Sequence, residues 1–204
     1  DFGKGQRIFL TTDSVPRQTT GNRGCVISRA VNIQSPQSYS YLGDLFNMNN
    51  NGTVNAEIIL GCITIDGGGF NTAGGIKATH GGYLFNVGKN AVLQLSADNA
   101  RNEVPTLQKN YRETTNADTN GGSAIYNEGY VEMWVGNVQD NYLAGTTPQN
   151  GSGAGLQQND NDASTIIHNV SFSGNEATQN AGALDLQKGS AVITNANFVN
   201  NVAG

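Results

Sequence analysis

Charge is scarce in this 204-residue chain: 11 Lys and Arg and 16 Asp and Glu make up only 13% of it. The basic residues are scattered, and the net charge is -5 with a sequence pI near 4.8. That balance excludes a nucleic-acid surface, whose affinity comes from clustered Lys and Arg releasing counterions. No apolar run approaches the ~18 residues of a membrane span, and no signal-peptide core or lipidation motif is present, so no membrane insertion is expected. The chain opens on Asp1 rather than Met and closes on the repeat-like NNVAG, which predicts a piece excised from a larger mature protein. Cys25 and Cys62 are the only cysteines, too few for a four-ligand zinc cluster or a disulfide framework. They share a setting, GCVI at 24–27 and GCIT at 61–64, which predicts equivalent positions one repeat apart. Neighbouring parallel strands would bring their Cα atoms to ~4.8 Å, within disulfide reach; a disulfide and a pair of reduced buried thiols both fit.

What the chain has in quantity is glycine, 27 residues, and asparagine, 28, beside 37% apolar residues. Such a composition reads as disorder unless regular apolar triplets interrupt it, and here they do. Few long aliphatic runs argue for a thin, elongated core within one domain.

The triplets recur. GGSAIYNEGYVEMWVGNVQDN at 121–141, GAGLQQNDNDASTIIHNVSFSGN at 153–175 and AGALDLQKGSAVITNANFVNN at 181–201 share one grammar. Small residues precede Ile125, Leu156 or Leu184; the later positions align as Met133, Ile167 and Ile193, then Val138, Phe172 and Phe198, then Asn141, Asn175 and Asn201. The unequal spacing is expected to be absorbed by TTPQNGS at 146–152. Looser copies are GGYLFNVGKNAVLQLSADNARN at 81–102 and GDLFNMNNNGT at 43–53, followed by IILGCITIDGGG at 58–69. Residues 1–40 read as an atypical first coil or N-terminal cap, and 41–204 as the coils of one continuous domain. The segment 102–120 reads as a long loop inserted among them.

Helices are disfavoured because almost no window places apolar residues at i, i+3, i+4 and i+7, and β-branched residues with Gly and Asn are poor helix formers. Propeller blades need four strands per unit. The prediction is an all-β, right-handed parallel β-helix, a β-solenoid of about five or six coils with loop insertions, its alternating apolar residues stacked in a narrow core. Recurring asparagines are expected to form side-chain hydrogen-bond ladders.

The pairs GGSAI with VQDN, GAGL with FSGN and AGAL with FVNN resemble the GGA-I and F-x-x-N repeats of bacterial surface adhesins. These include polymorphic outer-membrane proteins, other autotransporter passengers and the binding regions of Gram-positive serine-rich-repeat adhesins, within a pectate-lyase-like superfamily. The resemblance covers roughly 80–201, and Val138 departs from it by replacing phenylalanine. It implies a right-handed β-helix on the bacterial cell surface, extracellular, attaching to host or cell-surface glycans and glycoproteins or to other cells.

The same fold carries polysaccharide lyases and glycoside hydrolases, so the enzymatic alternative has to be met at residues. Asp66 and His80 are its candidates, but no DD pair or RIK-like strand accompanies them, and Asp98 is a poor partner for two-carboxylate hydrolysis. Asp66 reads better as the cap of the IDGGG turn. Asp160 and Asp162 in NDND are weak candidates for a Ca²⁺ site, since two aspartates do not fill six to eight ligand positions; no cofactor is expected. His168 reads as an outward strand residue, with a pH-sensitive contact as its sharper role.

Binding candidates follow from alternation. With Leu45, Leu84, Ile125, Leu156 and Leu184 inward, Phe46, Phe85 and Tyr126 would form an outward aromatic column that either grips sugar rings or lies under a loop as a satellite core. With Val131, Met133 and Val135 inward, Tyr130, Glu132 and Trp134 point out. The 102–120 segment carries Lys109, Tyr111 and Arg112; Arg112 with Tyr111 reads either as a grip on an acidic polysaccharide or as part of an unselective solvated loop. A third reading is a self-association module pairing through exposed strand edges.

Overall fold

The computed structural model describes residues 7–10, 25–28, 44–48, 56–61, 63–71, 74–79, 81–96 and 104–204. Among the described residues every regular element is a strand, and no helix is long and apolar enough to cross a membrane. Each pass of the chain lays one short strand on each of several sheets, and the next pass adds a parallel neighbour. The first sheet runs Arg7–Leu10, Glu57–Leu60, Val92–Leu95, Tyr130–Met133, Ser164–His168, Ser190–Thr194. The second runs Cys25–Ser28, Ile63–Asp66, Thr106–Gln108, Gly136–Gln139, Val170–Ser173, Asn197–Val199. Phe46–Asn47, Phe85–Val87, Ile125–Asn127, Leu156–Gln158 and Leu184–Leu186 make the third. Tyr111–Glu113, Tyr142–Ala144, Glu176–Ala177 and Val202–Ala203 make the fourth. These stacked parallel sheets are consistent with a parallel β-solenoid. One antiparallel pair, Phe70–Asn71 with Lys77–Ala78, stands apart from them.

The core is a set of columns. Leu60, Leu95, Met133 and Ile167 stack from the first sheet, and Ile65, Leu107, Val138 and Phe172 from the second, all fully buried. In-register stacking of like side chains buries apolar surface without a thick core. The columns end uncovered at the last coil, where Ile193 is 43% and Phe198 49% exposed. The expected alignments of Ile125, Met133, Val138 and Asn141 with their later counterparts are the ones the strands adopt, and the longer connection falls at 145–155, around TTPQNGS.

Three expectations need correction. First, it is Phe46 and Phe85, rather than Leu45 and Leu84, that register with Ile125. Phe85 is fully buried and stacks on Phe46, ring centroids 4.8 Å apart and 4° from parallel, so neither belongs to an outward column. Alternation fails because the chain bends before the strand, and corner residue Leu84 and strand residue Phe85 both face the interior. Second, 102–120 is not simply a loop: within it Thr106–Gln108 and Tyr111–Glu113 are ordinary coil strands. Third, Cys25 registers with Ile63, one residue beyond Cys62; Cys62 and the disulfide expectation lie outside the described residues, as does most of 1–40.

Candidate functional site

The fourth sheet is built on asparagine. Asn141 Nδ2 donates to Asn175 Oδ1 at 2.9 Å, and Asn175 Nδ2 to Asn201 Oδ1 at 2.9 Å. Each carboxamide oxygen also accepts the backbone N–H of the asparagine before it, Asn110 onto Asn141 at 3.0 Å and Asn175 onto Asn201 at 3.1 Å. Asn110 is thus a fourth member of the predicted ladder. The residue before each member, Lys109, Asp140, Gly174 or Asn200, has φ between 52° and 62° in the left-handed region that makes the corner.

Beside the ladder, Arg112 registers with Leu143 and its side chain points inward, 3% exposed. Its Nε donates to Gly81 O at 3.0 Å, and its Nη1 to the carbonyls of Asn120, Gly121 and Gly122 at 3.3, 2.9 and 2.9 Å. The guanidinium lies 4.0 Å over the ring of Tyr83, which stacks 5.4 Å from Tyr126. Arg112 therefore ties backbone together and offers nothing to an acidic sugar, contrary to its expected role. Tyr126, 4% exposed, is the satellite-core alternative made real. Of the two other candidates in that segment, Lys109 is exposed and Tyr111 packs edge-on against Tyr142 at 5.9 Å.

Burial pushes the Tyr83 phenol up to about 12, the Arg112 charge opposing it, and raises Tyr126 as well. A phenol that keeps its proton in the fold after the unfolded chain has lost it stabilises fully below pH 10, and that stability declines as pH climbs toward 12. Tyr83 alone is expected to make the fold ~1.4 kcal/mol less stable per pH unit in that window. Urea unfolding at pH 9 and pH 11 checks this: Tyr83→Phe, which keeps the ring, should flatten the decline, and an unaltered decline would refute it.

On the outward side of the first sheet the expectation holds for Tyr130 and Glu132, both half-exposed, and for Trp134, 44% exposed. His168 stacks flat on the Trp134 indole, centroids 4.6 Å apart and 10° from parallel. The strand places Tyr130 and Trp134 ~13 Å apart along one face.

Where the chain turns from the third sheet into the first, turn lengths differ between coils. The turn at 128–129 is shorter than its neighbours at 88–91 and 159–163. A recess results, about 410 Å³, lined by Lys89, Ala91, Glu128, Gly129, Tyr130 and Asp162 among others. Lys89 Nζ reaches across it to Asp160 Oδ2 at 3.0 Å. That hydrogen bond raises the Lys89 ammonium, while the N–H of Asp162 on Asp160 Oδ1 (3.0 Å), followed by Lys89, holds the Asp160 carboxyl low. Glu128 Oε1 accepts the Tyr126 hydroxyl at 2.9 Å. Sequence reading missed Lys89 and Glu128; the contrast of EG with GKNA and NDNDA is the signal that finds them.

Asp66 behaves as a turn cap, its Oδ1 accepting Gly68 N at 2.7 Å and its Oδ2 accepting Gln108 Nε2 at 2.7 Å. His80 and Asp98 lie outside the described residues. Among the described residues no three His, Cys, Asp or Glu side chains gather as metal ligands. No protein-family model, curated protein or solved structure matches the chain.

Proposed function

We propose that the chain is part of a bacterial cell-surface adhesin, a right-handed β-solenoid of about six coils that binds carbohydrate on the outward face of its first sheet. The observation that carries this reading is the Trp134–His168 stack: a large aromatic ring left 44% exposed on a rigid strand. Apolar C–H faces of sugar rings pack on such a surface, and an exposed Trp of this kind costs solubility unless something covers it. Tyr130 extends the same face by one strand length. Host or cell-surface glycans and glycoproteins are the partners in this reading, and the activity is attachment rather than turnover, with Asp66 serving as a turn cap.

Trp134→Ala is expected to weaken binding on a glycan array by about tenfold or more, as loss of a central aromatic anchor does. Undiminished binding by the variant would contradict the assigned face. Release of reducing or unsaturated ends from the bound polysaccharide would overturn the non-catalytic reading.

A further inference from the structure

The recess beside Tyr130 has a chemistry of its own. Its existence follows from turn length: the coil carrying Glu128 and Gly129 takes the corner in the fewest residues, and the flanking coils stand out on either side. Gly129 lets this happen, because a Cβ there would run into the carbonyls of Gly88 and Ala91. The volume, about 410 Å³, is in the range of small-ligand clefts. Tyr130 supplies one aromatic wall and belongs equally to the outward face described above.

Its charges do not balance. Lys89, the cation in the lining, is taken up by Asp160. Glu128 gives one oxygen to the Tyr126 hydroxyl, and Asp162 gives its backbone N–H, not its carboxylate, to Asp160. Among the described residues neither Glu128 nor Asp162 has a cation within ion-pair distance. Lys188, the next cation along the column, acts on Asp160 and is not part of the lining. The recess therefore offers an aromatic wall and a negative balance, the single Lys89 ammonium being shared among three carboxylates: it is paired with Asp160 and also acts at longer range on Asp162 and Glu128.

We infer that this recess selects saccharides bearing a free amine, seating the ammonium group between Glu128 and Asp162 while the ring rests on Tyr130. A uronate would bring its carboxylate against two others and is disfavoured, so the expected acidic polysaccharide is the wrong partner for this site. The inference rests on the carbohydrate-binding reading and narrows its ligand class.

The test is titration calorimetry of the whole chain with glucosamine oligomers, their N-acetylated counterparts and galacturonate oligomers at low salt. The wild type should bind the free-amine oligomer about tenfold more tightly than the other two, and added salt should erode the preference. The pair Glu128→Gln and Asp162→Asn, which keeps shape, should bring the preference within about twofold and leave binding of the N-acetylated oligomer intact. An unchanged preference in that double variant, with Trp134→Ala still weakening binding about tenfold, overturns the recess assignment and spares the outward face. No binding of any saccharide by the wild type overturns both. Spermidine binding as tight as the glucosamine oligomer, and displacing it, overturns the saccharide assignment.

Discussion

Arg112→Ala is expected to destabilise the protein by about 4 kcal/mol in urea unfolding, more than any outward-facing substitution. The side chain fills a column otherwise occupied by Leu143 and Ala177, and carries four backbone carbonyls on its guanidinium. Truncation leaves a cavity and strands those carbonyls. Hydrogen bonds to charged groups are worth ~1.5–3 kcal/mol each, and a buried acceptor without a donor costs much of that again, so even partial rehydration leaves a large deficit. The distant ion pair to Asp118, at 4.0 Å with a half-exposed carboxylate, contributes little by comparison. Arg112→Lys is expected to recover less than half the loss, because a single ammonium cannot reach carbonyls on both sides or lie flat on Tyr83. Near-complete rescue by lysine would mean that charge, and not the planar fork, is what matters.

Asn175→Ala is expected to cost about 3 kcal/mol. The carboxamide accepts from Asn141 N (3.3 Å) and Asn141 Nδ2 (2.9 Å), and donates to Val138 O (2.8 Å) and Asn201 Oδ1 (2.9 Å). It is fully buried, so its partners have no water to turn to. Asn175→Asp separates the two halves of the interaction. The carboxylate still accepts from Asn141, yet faces two acceptor oxygens with nothing to donate, and should be at least as destabilising at neutral pH as alanine. Asn201→Ala at the exposed last coil should cost less than half as much. Equal losses at 175 and 201 would show that burial within the stack does not set the cost of losing a ladder member.

Much of this architecture can be read from the sequence because stacked parallel sheets of this kind repeat their instructions. Ile125, Leu156 and Leu184 follow small residues each time, Val138, Phe172 and Phe198 precede the ladder asparagines by three, and the columns appear on superposing three segments. Reading fails where a coil breaks its own rule. Arg112 sits in an apolar column, so Thr106–Gln108 and Tyr111–Glu113 look like an insertion and Asn110 goes unseen as a ladder member. Phe46 and Phe85 are misplaced because period-two alternation does not survive the corner at Leu84. The exposed pair, Tyr130 and Trp134, was accessible from strand alternation alone. The recess was not, because it arises from a difference in turn length between neighbouring coils and is encoded in no single repeat.

The most direct test of the outward face uses the fact that Trp134 is the chain's single tryptophan. Its fluorescence reports on that face and nowhere else. Titration with oligosaccharides identified by array is expected to shift or quench the emission saturably, with the same midpoint as calorimetry and with His168→Ala altering the response. Calorimetric binding that leaves the tryptophan emission untouched would contradict the account.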